Sequence, residues 1–275
     1  MSASTLPTWR DSSSRPTVGG NQVFDLKGRV AVVSGGAGAI GSAIAKGLAE
    51  QGASVILASR NEPACERVAA SIYADTGREI SALAVDVTSE PSVGGLVRAV
   101  RENFGNVHIL VNAHGYNLKA PALDFPMDEW RKLFDANVAG TMRMCQAFGR
   151  GMLEQQYGRI VNVSSVRGVR ANSGGNSAYA SSKASVDMVT RTLAAEWAPQ
   201  GVNVNAIAPA LIASRLTEAQ MREPGRAERY LANIPLGRLG RASDCAGAAV
   251  FLASDEADFV TGHILYVDGG LTAVG

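Results

Sequence analysis

From residue 24 onward, short apolar runs rich in β-branched residues alternate with longer stretches of helical periodicity. No other feature of the chain constrains its fold as tightly. The runs cover residues 30–33, 54–57, 80–85, 107–111, 160–163, 202–207 and 264–267. Between them lie periodic segments such as 40–50, 93–103, 128–153, 180–197 and 244–253. Strands that are apolar throughout, rather than alternating, need cover on both faces, and intervening helices supply it. The pattern predicts an α/β, doubly wound Rossmann fold: a single seven-stranded parallel sheet with helices on both faces. No linker interrupts the rhythm, so residues 24–275 are read as one domain. Residues 1–23, rich in Ser, Thr, Pro and Gly, are read as a disordered tail too polar to offset its ordering entropy.

Composition excludes several classes of partner. The chain carries 26 Lys+Arg against 25 Asp+Glu, a net charge of +1, which lacks the broad basic footprint of a nucleic-acid or anionic-membrane binder. No stretch of eighteen consecutive apolar residues offers a membrane span, and no apolar run follows Met1 as a secretory signal would require. Cys65, Cys145 and Cys245 are odd in number and widely spaced, which fits a reducing compartment, the cytoplasm. His108, His114 and His263 lack zinc-ligand spacing, so no metal is expected.

Gly36-x-Gly38-x-x-Gly41 lies between the first strand and a helix, where a dinucleotide-binding motif belongs. Glycines there let backbone N–H groups approach a pyrophosphate, and the helix N-terminus adds partial positive charge. At the end of the second strand, an NAD binder usually places an acid to accept from the ribose 2′-hydroxyl. Ser59 and Arg60 stand there instead, a hydroxyl and a cation suited to a 2′-phosphate, so NADP(H) is favoured. Glu62 leaves NAD(H) open.

Tyr179 and Lys183 are four residues apart and share one helix face. A free Tyr with a pKa near 10 is only roughly 0.1% phenolate at neutral pH. A neighbouring ammonium favours the phenolate, which makes the pair a usable acid–base couple for ketone reduction or alcohol oxidation. Taken alone, such a pair is more often two surface neighbours.

Its company carries more weight. Across residues 24–275 the chain resembles the short-chain dehydrogenase/reductase family. Ser34-Gly35-x-x-x-Ala39-Ile40-Gly41, with Gly38 inside it, is similar to the family's nucleotide turn, T-G-x-x-x-G-x-G. Asp86-Val87 resembles the adenine-binding segment, and Asn112-Ala113-His114-Gly115 the N-N-A-G element. Asn137, Ser165, Tyr179 and Lys183 occupy the positions of the family's catalytic four. Pro209-Ala210-Leu211-Ile212-Ala213-Ser214 is similar to P-G-x-x-x-T at the nicotinamide end.

The resemblance implies an NAD(P)-dependent enzyme acting on a small-molecule alcohol or ketone, assembled as a homotetramer. It implies that Ser165 orients the substrate oxygen, Tyr179 exchanges a proton with it, and Lys183 holds the nicotinamide ribose and tunes Tyr179. Asn137 would hold a water at a helix kink. The chain departs from the pattern at Ala39, a methyl near the phosphates, at His114 for a small Ala, at Ala210 for Gly and at Ser214 for Thr.

His114, Tyr116, Ser165, Arg167, Asn172 and Arg215 are the candidate substrate contacts, a polar set that suggests a sugar acid, sugar or polyol. Within the family the overall look is similar to gluconate 5-dehydrogenases. The alternative is a 3-oxoacyl-(acyl-carrier-protein) reductase. Such reductases tend to carry basic residues where Gln156 and Gln200 stand here. A second alternative is a dinucleotide-binding regulator without chemistry; the four intact catalytic positions argue against it.

Overall fold

The computed structural model describes residues 23–213, 217, 221–222 and 225–274, the Arg226 side chain excepted. The tail 1–22, Ser214 and Arg215 lie outside the described residues.

The strands are β1 (Val30–Ser34), β2 (Ser54–Ser59), β3 (Ile80–Ala84), β4 (Ile109–Asn112), β5 (Gly158–Val163), β6 (Val202–Pro209) and β7 (Ile264–Val267). They form one parallel sheet in the order β3-β2-β1-β4-β5-β6-β7. Between them run α1 (Ala39–Glu50), α2 (Glu62–Thr76), α3 (Glu90–Phe104), α4 (Met127–Phe134), α5 (Gly140–Glu154), α6 (Ser177–Trp197), α7 (Arg226–Leu231) and α8 (Ala242–Ala253). The predicted doubly wound sheet is therefore the observed one.

Alternate strand residues feed two separate cores, as the pleat requires. Ala31, Val33, Val55, Leu57, Ile109 and Val111 pack with Ile44 and Leu48 of α1 and Ala249 of α8. Val32, Ile56, Leu110, Ile160 and Val204 pack on the other face with Leu96 of α3, Met144 and Phe148 of α5 and Leu193 of α6. Each fully buried aliphatic side chain contributes roughly 1.5–3 kcal/mol. Helix starts are marked chemically: the side chains of Asn61 and Ser89 accept from Ala64 N and Ser92 N, with Pro63 and Pro91 in the first turns.

Residues 128–153, read as one helix, are two. A π turn, Asp135–Ala139, separates α4 from α5. The wider turn carries Asn137, whose side chain is spent on another segment, and such bulges recur at functional sites. Helix α2 was not among the periodic segments named; its pattern is thin, with only Cys65, Ala69 and Ile72 buried.

A line of polar side chains crosses the apolar interior. Ser34 Oγ donates to Asn112 Oδ1 (3.2 Å), Asn112 Nδ2 to Asn162 Oδ1 (2.9 Å), and Asn162 Nδ2 to Thr190 Oγ1 on α6 (2.9 Å). All four residues are buried.

Candidate active site

The strand order reverses between β1 and β4, and ligands of open α/β sheets bind at that crevice, beyond the carboxyl ends of the strands. The glycine turn after β1 lines it. Gly35 has φ +74°, and a Cβ there would stand 2.6 Å from the Ala113 carbonyl and the His114 nitrogen, both backbone. A Cβ on Gly41 would lie 2.4 Å from Gly35 O. Only glycine fits either position. Gly38 precedes α1 without a side-chain cap, and no acid occupies the first turn, so the positive end of the helix is uncompensated by side chains. Ala39 is exposed, so its methyl points away from the turn's packing, and Ile40 reaches the cavity described below.

At the end of β2, Ser59 Oγ donates to Asn61 O (3.1 Å), and Arg60 is exposed. Asp86 follows β3. Its carboxylate accepts from Thr88 N (2.9 Å) and Thr88 Oγ1 (2.7 Å), and these bonds hold it below the usual carboxylate range, helped by Arg60 and Arg143. Val87 packs against Gly140, where a Cβ would come within 2.8 Å of it. These groups and the glycine cradle fit a dinucleotide: open backbone for a pyrophosphate, a carboxylate for polar edges, and a cation for a 2′-phosphate.

Beside the cradle lies a cavity of about 220 Å³ whose walls include Ile40, Ala113, His114, Tyr116, Ser165, Tyr179, Lys183 and Pro209. Ser165 is buried at the end of the β5 segment, and Arg167 N donates to its Oγ (3.2 Å). Lys183, 5% exposed, donates from Nζ to Val163 O (2.7 Å), and the ammonium sits 5.7 Å from the Tyr179 ring centroid. Burial lowers the Lys183 pKa to about 8.

The Tyr179 phenol moves the opposite way from the sequence expectation. Burial raises it above its ordinary value, and the Ser165 hydroxyl and the Arg167 charge offset this only in part. Desolvation of the anion outweighs its neighbours in the protein alone.

Asn137 is 1% exposed. Its amide donates to Tyr116 O (3.0 Å) and Ser182 Oγ (3.1 Å), and its Oδ1 accepts from Tyr116 N (3.0 Å). The side chain thus ties the π turn to the segment after β4 and to α6. His114 lies against two hydroxyls: Nδ1 is 2.7 Å from Ser34 Oγ and Nε2 is 3.3 Å from Thr141 Oγ1. With both ring nitrogens engaged and its pKa driven to about 3 by burial, the ring is neutral and part of the scaffold.

Of the remaining predicted contacts, Tyr116 reaches the cavity, and Arg167 neighbours both Tyr179 and Tyr230. Asn172 is exposed and accepts from Asn176 Nδ2 (2.9 Å); it is absent from the cavity wall. Ile212 is buried and packs on Gly240, where a Cβ would meet it at 2.6 Å. Gly115, of the element after β4, and Ser164, beside Ser165, also line the cavity, as do Asn117 and Val163, which escaped the sequence reading. Ser182 and Thr141 escaped it too; the spacing Asn137-to-Thr141, one helical turn, was the available signal. Among the described residues no group of three or more His, Cys, Asp or Glu could hold a metal, and no helix is long and apolar enough to cross a membrane.

The same arrangement recurs in known proteins. The family model described as enoyl-(acyl carrier protein) reductase matches residues 35–272. A 3-oxoacyl-(acyl-carrier-protein) reductase of Vibrio cholerae is 38% identical over 248 residues, covering 90% of this chain and 99% of that one. D-threitol dehydrogenase of Mycolicibacterium smegmatis is 39% identical over 249 residues, covering 90% and 95%. The structure of a gluconate 5-dehydrogenase from Burkholderia cenocepacia, in complex with NADP and tartrate, superposes with a TM-score of 0.86 at 34% identity, covering 92% and 98%. Matches of this extent mean that the chain belongs to the short-chain dehydrogenase/reductase family of oxidoreductases.

Proposed function

We propose that this chain is an NADP(H)-dependent oxidoreductase that interconverts a secondary alcohol and a ketone on a small hydroxylated acid of the sugar-acid class. The observation that carries the reading is Arg167. Its backbone N–H donates to Ser165 Oγ, and its guanidinium bears electrostatically on the Tyr179 phenol. Arg167 stands off the cavity wall, with Nη1 donating to Arg170 O (3.2 Å) and Ala171 O (3.4 Å), and its charge reaches the acid–base pair through space. A cation that near suits a substrate that carries a carboxylate close to its reacting carbon. An acyl thioester offers no charge there. Gln156 and Gln200 precede β5 and β6, at the ends of the strands opposite the cavity, so charge near the acid–base pair discriminates better than those two positions.

The dinucleotide, when bound, supplies or accepts the hydride. Gly35, Gly38, Ala39, Ile40 and Gly41 would hold its pyrophosphate end, Ser59 and Arg60 its 2′-phosphate, and Asp86, Val87, Asn112 and Ala113 its adenosine side. Pro209 and Ile212 flank the nicotinamide end. Ser165 holds and orients the substrate oxygen, and Tyr179 gives a proton to that oxygen in reduction or takes it in oxidation. Lys183 keeps a positive charge one helical turn from the phenol, and Asn137 fixes the backbone opposite. The exposed Arg60 and the absence of an acid at its position support NADP(H); NAD(H) is the alternative.

A panel of hydroxy acids, neutral polyols and 3-oxoacyl thioesters, each with NADP(H) and NAD(H), tests this reading. A hydroxy acid with NADP should turn over best, and Arg167→Leu should raise its KM at least tenfold while sparing neutral polyols. Faster turnover of a thioester or a neutral polyol than of any hydroxy acid overturns it.

A further inference from the structure

Tyr179, Lys183 and Asp187 follow one another at helical-turn spacing along α6. The third is a carboxylic acid in an unusual place. Asp187 is 4% exposed, and its Oδ1 is the one buried side-chain nitrogen or oxygen among the described residues without a hydrogen-bond partner. Buried carboxylates are ordinarily satisfied, because an unpaired one forfeits its hydration without return. The fit around it is close: a Cβ on Gly168, in the turn that follows Ser165, would lie 2.5 Å from Asp187 Oδ2.

The groups that face this carboxylate come from three elements. Lys183 and Arg191 belong to α6, Ser164 to the segment after β5, and Tyr266 to β7. Arg191 is exposed, so water screens its charge; Lys183 is buried. The ammonium is itself bonded to Val163 O rather than to Asp187, so the two charges act on each other through space.

We propose that Asp187 is a positioning residue for Lys183: a buried counter-charge one turn further along α6 that keeps the lysine ammonium charged and directed at the Tyr179 end of the cavity. Burial raises the Asp187 carboxyl above its ordinary value, and the Ser164 hydroxyl, Arg191 and Lys183 oppose that rise, while Asp187 in turn favours the charged form of Lys183. In a low-dielectric interior, such a term is felt without contact.

The kinetic consequence rests on the catalytic reading of Lys183 given above, but a stability measurement needs no substrate. Asp187→Asn keeps the shape and removes the charge. Unfolding is measured from pH 6 to 11 for wild type, Asp187→Asn, Lys183→Met and the double variant. The unfolded chain holds a proton on Lys183 between the native pKa and the free value, so wild-type stability climbs with pH from about 8. In Asp187→Asn the onset should move down by roughly one pH unit, and Asp187→Asn should leave the pH profile unchanged in the Lys183→Met background. In turnover, the alkaline limb of kcat should move down by the same roughly one unit, with KM unchanged.

An onset that stays at its wild-type pH overturns the proposal. So does an equal loss of stability from Asp187→Asn in both backgrounds, or a change of assembly by light scattering without any pH shift. Either of those would make Asp187 structural. If the stability onset moves but the kcat limb does not, the counter-charge stands and the catalytic reading of Lys183 falls.

Discussion

Two cations are buried at opposite ends of β5, and the chain treats them differently. Arg159, 1% exposed, lies near the foot of β5. It donates from Nη2 to Asp258 Oδ1 (2.9 Å) and Asp255 Oδ1 (3.4 Å), and from Nε to Ser254 O (3.3 Å). Its guanidinium stands 4.6 Å from the Tyr157 ring centroid, while Arg29 covers the same ring at 4.0 Å. Lys183, at the other end of that strand, has one backbone carbonyl in direct contact and no ion pair among the described residues. A cation that only holds the fold together is surrounded by carboxylates. One that must bias a neighbouring phenol has no carboxylate in contact and bears the desolvation, which is why its pKa falls to about 8.

The sharpest way to break this contrast is to remove each charge in turn. Lys183→Met should cut kcat by at least about 10²-fold. Unfolding at pH 7.5 and 9.5 adds the sign. The native pKa of about 8 lies below the free value, so wild type gains up to about 1.4 kcal/mol per pH unit above pH 8, and the variant should not.

Arg159→Met should do the reverse, costing about 2–3 kcal/mol in a denaturant titration with kcat/KM preserved. This figure is below that for a fully buried pair because Asp255 and Asp258 are half exposed. Loss of turnover without loss of stability in that variant would collapse the distinction.

The smallest effect concerns His114, the neutral ring between the two hydroxyls. Its native pKa of about 3 lies below the ordinary 6.5, so the unfolded chain alone takes up a proton between those values and wild-type stability falls as pH drops through that window. His114→Gln should lack this component, a difference of about 1–2 kcal/mol between pH 6.5 and pH 5. Parallel pH profiles for the two proteins would place the ring in a more solvated setting.

The sheet was legible because apolar runs buried on both faces leave a strong signal. Its edges were less so: β5 starts at Gly158-Arg159, and Arg159 is buried through partners a hundred residues away that no local pattern discloses. Within the site, the Tyr179–Lys183 spacing was readable since one helix sets it. The position of His114 was not, because its partners come from β1 and α5. Nor was the direction of the Tyr179 shift, since desolvation depends on everything packed around the phenol. Asn172 looked available from its type; in the fold Asn176 engages it.

The polar line through Ser34, Asn112, Asn162 and Thr190 has a consequence for how the chain assembles. In a parallel sheet of apolar strands, hydrophobic contact barely distinguishes one strand offset from another, since valine beside valine is rewarded at many of them. Here Ser34 pairs with Asn112, and Asn112 with Asn162, in the native register alone. A strand that docks one residue out of step strands several amides and hydroxyls in a dry interior, at roughly 1–3 kcal/mol each. The line therefore makes the native register, and with it the crevice above the strand ends, more specific than apolar contact alone would.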